Sequence, residues 1–402
     1  MLQQKTLNYQ IPNSVLKFLI ACIFIYSLLY YIYYGIFQPR SGRKPDFDPY
    51  WTAAYCLKNN INPYNVNDLL ETSKKLGAQK NDREINKCVY PPLFMQILKP
   101  FLFFNIQTAR AIWSCIVNSL FVICIIFLFY DLLLKNFYVS LLITSLFFLF
   151  RPLYITLALG QVNIFIFFLL LLAIWAYNKK KNWIFSAAIA LASLIKIIPF
   201  IIYLFLILRK KYKLFFIALF MFLLVFLVSY LFNPQEYKIY FFEVLPQFSQ
   251  GAGAENLYNI SLDSFLKKHN ISNIFQILFQ IILILLLIAQ NLKYNTDDFD
   301  EYIFGMTVGI SLLIPKTLWE HHLLLIFIVF FILLKNILNN RLALKNNIIL
   351  ILFAISISIL LLDIKYYDGR LNDFPLSLFR YIKLYAAICL NLLYILGLKK
   401  IT

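Results

Sequence analysis

The chain has 402 residues, of which 61% are hydrophobic, 18% aromatic and only 14% charged. A soluble domain carries about 45–50% apolar and about 25% charged residues, so a soluble enzyme, a nucleic-acid-binding protein and a disordered chain are excluded. The excess of 37 Lys+Arg over 19 Asp+Glu reads as the positive-inside bias of a membrane protein, because the basic clusters fall between apolar runs.

Those runs lie near 15–36, 109–131, 138–157, 163–178, 183–208, 214–232, 273–292, 302–316, 322–338, 348–363 and 379–398. They are continuous, unlike the alternating strands of an outer-membrane barrel. A helical span needs about 20 apolar residues. The expected fold is therefore an all-α polytopic membrane protein, one integral domain over 1–402, with about ten full spans. No small-x-small cleavage site follows the first run, which reads as a retained span rather than a signal peptide.

With the N-terminus inside, the first run crosses outward and leads into a long extracytoplasmic loop, 37–108. The loop opens with Asp46 and Asp48 in the stretch Asp46-Phe47-Asp48-Pro49-Tyr50-Trp51. A carboxylate at the lipid–water boundary caps the following helix or serves as a base with a raised pKa, and the sequence leaves both readings open. Asn62-Pro63-Tyr64 and Tyr90-Pro91-Pro92 follow. Pro92 to Phe104 is apolar but short, as in an interfacial helix.

The run 138–157 opens a pair that closes at Lys179-Lys180-Lys181, with Gly160-Gln161-Val162-Asn163 as the outer turn between. Arg151 lies inside that run and needs a partner there. The next run, 183–208, has basic clusters at both ends, the second being Arg209-Lys210-Lys211 with Lys213. A single crossing would put one cluster outside. A re-entrant hairpin broken at Lys196-Ile197-Ile198-Pro199 keeps both inside, since proline removes a helix hydrogen bond. Its first leg rises roughly 20 Å, which lifts Lys196 deep into the bilayer. The same assumption keeps the clusters at 335–345 and 399–400 inside. The outer side then also owns a second large loop, 233–272, the turn from Ile314 to His322, and the segment Asp363 to Arg380.

Of six cysteines, four lie in apolar runs. Cys56 and Cys88 share the first outer loop, where a disulfide and two free thiols are both open readings. No His/Cys spacing suggests a metal, and no cofactor is expected.

Asp46-Phe47 with Tyr50-Trp51 and Ala53-Ala54, then Asn62-Pro63-Tyr64 and Tyr90-Pro91-Pro92, resemble the first loop of glycosyltransferase family 87, the polyprenol-phosphate-mannose-dependent mannosyltransferases and their relatives. The resemblance continues through Gly160-Gln161-Val162-Asn163, Lys196 with Pro199, Asn259-Ile260-Ser261-Leu262 and Trp319-Glu320-His321-His322, over roughly residues 15–335. Two motifs depart from the family: Asn59-Asn60-Ile61 replaces a glycine before the Pro-Tyr pair, and Ile314-Pro315-Lys316 replaces a Ser-Pro opening.

The resemblance implies a GT-C-type fold in the plasma (inner) membrane with its active site on the extracytoplasmic side. It implies hexose transfer, mannose favoured, from a polyprenyl-phosphate donor to a glycolipid or glycan acceptor. It makes Asp46 the catalytic base, with Asp48 as the alternative.

Elementary chemistry asks for the same parts. A base takes the acceptor proton, donors stabilise the departing phosphate, and a site at membrane depth receives the lipid tail. His321 and His322 join Asp46 as catalytic candidates. Gln161, Asn163, Lys196, Tyr90, Asn259, Ser261, Trp319 and Glu320 are the expected donor- and acceptor-binding residues. A lipid-linked-sugar flippase or a non-catalytic membrane protein is the competing reading. Against the flippase stand the lack of an inverted repeat and polar motifs confined to one face.

Overall fold

The computed structural model describes residues 14–38, 44–78, 86–133, 137–249, 256–338, 342–344, 347–364, 366, 369–396 and 398–400. Within them the chain is helical apart from one short antiparallel pairing, β1 (Leu342–Leu344) with β2 (Leu398–Lys400). Arg341 and Lys345 of the basic cluster lie outside the described residues.

The first span, α1 (Ser14–Tyr31), continues as a π-helical turn through Ile32–Phe37. The first loop holds three short helices, α2 (Phe47–Lys58), α3 (Val66–Lys75) and α4 (Pro92–Leu98), the last tightening into a 3₁₀ turn at Lys99–Phe103. Next come α5 (Ile106–Leu133), α6 (Phe137–Phe148), α7 (Arg151–Leu159), α8 (Asn163–Asn178), α9 (Asn182–Ile195), α10 (Ile202–Leu208) and α11 (Tyr212–Phe232). The second loop carries α12 (Pro234–Ile239), α13 (Leu245–Ser249) and α14 (Leu262–Lys268). The chain closes with α15 (Ile274–Lys293), α16 (Asp300–Leu313), α17 (Ile326–Leu338), α18 (Asn347–Leu361), α19 (Ser377–Arg380) and α20 (Ile382–Leu396).

Five helices among the described residues are long and apolar enough to cross a bilayer, or six if α6 and α7 count as one broken span bent by 46°. This is fewer than the ten that the apolar runs suggest. The runs overstate helix length where a break falls inside them. The run 138–157 breaks at Leu149-Phe150, because Pro152, at the second position of α7, has no N–H to continue the ladder to Phe148 and its ring would clash with that carbonyl. The run 163–178 is a helix of 16 residues, and 302–316 one of 14 starting at Asp300.

Burial separates the centre of the bundle from its rim. Of the most apolar window in Glu320–Leu338, 78% is buried, against 17% for Ser14–Phe37 and Tyr212–Phe232. The first therefore sits inside the bundle and the others present apolar side chains outward. For this much apolar surface the only stable surroundings are lipid.

Contacts define two ends. Tyr177, at the close of α8, and Arg209, just after α10, both bond the Asp300 carboxylate. Lys196, between α9 and α10, instead bonds Asn163 at the opposite end of α8. Sixteen helical residues separate Asn163 from Asn178, a rise of roughly 24 Å. The stretch from Asn182 to Leu208 thus leaves the Asp300 end, turns at Lys196 and returns.

Candidate active site

The opposite end gathers most of the residues singled out by the sequence. Asp46 directly precedes α2, and its backbone N–H donates to Leu159 O at 3.0 Å, which ties it to the end of α7. The turn that follows α7 needs a glycine. Gly160 has φ +73°, and a Cβ there would fall 2.8 Å from Phe47 Cβ. Trp113 clamps the turn from the far side, its indole N–H donating to Gly160 O at 2.9 Å.

Gln161 Nε2 donates to Asp46 Oδ2 at 2.6 Å, and Tyr90 Oη donates to Gln161 Oε1 at 3.0 Å. Asn86 Nδ2 donates to Asp46 Oδ1 at 2.8 Å. Lys196 Nζ donates to Asn163 Oδ1 at 2.7 Å and lies 5.9 Å from the centre of the Tyr90 ring. Asn163 Nδ2 in turn donates to His321 O at 2.8 Å. One connected network therefore runs Asp46, Gln161, Tyr90, Lys196, Asn163, His321.

Asp46 makes no ion pair among the described residues, and Lys196 lies within electrostatic range of it. Withdrawal from water pushes the Asp46 carboxyl above the usual aspartate range. The hydrogen bonds from Gln161 and Asn86 and the Lys196 charge pull the other way. Two residues earlier, burial lowers the Lys44 ammonium to about 8, while its Nζ donates to Leu157 O at 2.7 Å.

The other carboxylate of the pair is differently engaged. Arg110 grips Asp48 at both oxygens, 2.7 and 2.8 Å, and also reaches Ala78 O. A bidentate, buried pair of this kind holds a loop in place.

His321 and His322 are buried with their rings 4.6 Å apart and nearly perpendicular, and the Trp319 ring stacks on His321 at 6.2 Å. The backbone N–H of Trp319 points at His322 Nδ1 at 3.3 Å. A neutral ring accepting there carries its proton on Nε2.

Asn259 and Ser261 lie behind this turn. Asn259 pairs with Trp319 as an isolated antiparallel bridge. Its side chain accepts from Leu318 N and Ser261 N and donates to Lys316 O, and Ser261 Oγ donates to Lys316 O as well. These polar atoms are occupied by backbone, so the pair latches the His321 turn to the second loop. Glu320 points elsewhere, into a buried ion pair with Lys383.

Several participants were hidden in the sequence. Asn86 sits in an unpatterned loop. Lys383, the more deeply placed of two charges in the run 379–398, is a signal the run itself offered, since an ionisable group at membrane depth calls for a partner. The partner of Arg151 is Asp363, at 2.7 Å. Cys56 and Cys88 are buried free thiols.

The sequence model of glycosyltransferase family 87 matches residues 89–315, 227 of the 402 residues. The chain belongs to glycosyltransferase family 87. No curated protein matches it at a significant level. Family membership and the apolar helices together make it a membrane glycosyltransferase. The matched stretch contains Tyr90, Gln161, Asn163, Lys196, Asn259 and Ser261, while Asp46 and the histidine pair flank it.

Proposed function

We propose that the protein transfers a hexose, mannose favoured, from a polyprenyl-phosphate donor to a hydroxyl of a glycolipid or glycan, on the extracytoplasmic face of the plasma membrane. The observation that carries this reading is the Asp46 carboxylate. It is held by two amides, free of any ion pair among the described residues, and joined through Gln161 and Tyr90 to Lys196 and the His321 turn.

In this mechanism the acceptor oxygen attacks the anomeric carbon of the donor sugar, and Asp46 takes its proton. The new glycosidic C–O bond forms as the bond from that carbon to the phosphate oxygen breaks. The electron pair leaves on the polyprenyl phosphate, whose growing charge meets Lys196 and the Nε2–H of His322. Among the described residues Lys196 donates to one acceptor, Asn163, and an ammonium has three donors. Asn259, Ser261 and Trp319 position the histidines, and Asp48 and Glu320 stabilise the surrounding turns. No metal is required.

A cleft walled by Lys87, Cys88, Val89, Tyr64 and Glu243 opens beside Asn86 and Tyr90. It gives a hydroxyl-rich acceptor a polar approach to Asp46. The basic clusters at the Asp300 end fit a cytoplasmic orientation of that end.

The test is sugar transfer by the purified chain in lipid, using a panel of radiolabelled polyprenyl-phosphate hexoses with and without EDTA. Transfer or slow donor hydrolysis with one sugar, persisting in EDTA, is expected. Donor binding with no release of any labelled sugar would favour a flippase.

A further inference from the structure

A second polar cluster lies where α1, α7, α18 and the segment from Asp363 to Lys383 meet. Among the described residues it holds more cations than carboxylates, with buried donors left over. Arg151 uses Nη2 on Asp363, a carboxylate more than half exposed, and its buried Nε has no partner. Arg380 is 3% exposed; Nη2 donates to Asn256 O at 2.8 Å, and Nε has no partner. Tyr366 is 4% exposed, and its hydroxyl has no partner. Arg151, Arg380, Asp363 and Glu320 all lie within electrostatic range of that hydroxyl. Lys383, fully buried, is paired with Glu320.

Among the described residues that these contacts link, the balance is three cations, Arg151, Arg380 and Lys383, against two carboxylates, Asp363 and Glu320. A buried donor left without an acceptor is destabilising, and an unpaired buried positive charge more so. Two buried guanidinium N–H groups and a phenol O–H, with both guanidinium charges in electrostatic range of the phenol, are the donor types that match the oxygens of a phosphate.

Aromatic rings flank Arg151 on the α1 side. Tyr30 lies within electrostatic range of Arg151 and packs on Tyr154 at 5.3 Å and Tyr34 at 4.4 Å. Tyr26 and Tyr34 are 62% and 40% exposed on the outward side of α1, a span only 17% buried. This seam faces lipid.

We propose that Arg151, Arg380 and Tyr366 form a phosphate-binding site that takes the phosphate group of a membrane lipid entering along the α1 tyrosines. The site is separate from the hydrogen-bond network of Asp46 and does not depend on the reading of that network as a base.

The test is native mass spectrometry of the full chain in detergent with three probes: dioleoylphosphatidic acid, dioleoylglycerol and inorganic phosphate. The expected result is retained phosphatidic acid, no retained diacylglycerol, and at least tenfold weaker phosphatidic acid binding in Arg380→Gln. Tyr366→Phe deletes only a hydroxyl that has no partner in the ligand-free protein. It should therefore keep the thermal midpoint and still weaken binding several-fold, which a merely structural role would not do. Phosphatidic acid bound more tightly than inorganic phosphate assigns a lipid headgroup, and equal binding assigns a phosphate without a tail. Absence of binding by either phosphate, or binding unchanged in both variants, overturns the site. Because the readout is binding, loss of sugar transfer in Asp46→Asn leaves it standing.

Discussion

Asp300 and Asp46 sit at opposite ends of the segment that turns at Lys196, and their surroundings differ sharply. Asp300 is saturated: Arg209, Lys211 and Tyr177 all bond it, and Arg209 is fixed further by Asn291, Tyr294 O and Thr296 O. Asp46 receives two neutral amide donors. The Asp300 oxygens are taken up by two cations and a phenol. The Asp46 carboxyl is withdrawn from water and held by amides, which leaves it above the usual aspartate range. The same residue type thus closes the bundle at one end and, in the proposed mechanism, takes the acceptor proton at the other.

This contrast can be broken from either side. Removing the charge at the saturated end should act on folding. Asp300→Asn leaves Arg209 buried without its counter-ion, a loss of about 3–5 kcal/mol, and the expected outcome is a large fall in the thermal midpoint of the detergent-solubilised protein. A midpoint equal to the wild type would show that Asp300 does not anchor the hairpin. Removing the cation at the reactive end should act on rate. Lys196→Met is expected to lower sugar transfer by about 10²–10³-fold, the scale of one lost charge-stabilising donor, with a midpoint close to the wild type. Full transfer in that variant would separate Lys196 from the leaving group.

A subtler change sharpens the comparison. The Asp46 carboxyl is raised by burial and pulled back by the Gln161 bond. A base works only when ionised, so the acid limb of the transfer rate should lie above the usual aspartate range. Gln161→Leu removes a bond to the charged form, so the limb should move to higher pH and the rate at fixed acidic pH should fall. A limb that stays in place, or moves down, would show that Asp46 does not titrate in the rate-determining step.

How much was legible follows the same division. The residues that meet at the Asp46 end could be singled out because they are polar residues at the margins of apolar runs: Asp46, Tyr90, Gln161, Asn163, Lys196 and His321 all stand out there. The basic clusters also indicated a segment that returns to its own end. What could not be read is pairing across the fold. Nothing local tells Asp48 from Asp46. The difference is Arg110, 62 residues on. Asn259 and Ser261 read as sugar ligands until the bridge to Trp319 shows their atoms held by backbone. Arg209 read as one more surface cation of a cytoplasmic cluster, yet it is buried on Asp300. The length of individual helices was hard to read for a related reason, since hydrophobic runs do not show the break at Phe150 before Pro152.

The central claim is that Asp46 is the proton acceptor. The most direct measurement compares single-turnover sugar transfer by Asp46→Asn with that by the wild type in the same proteoliposomes, at matched protein and donor. The account predicts a fall of about 10²–10⁴-fold with donor binding and thermal midpoint retained. Transfer at the wild-type rate in Asp46→Asn would contradict it.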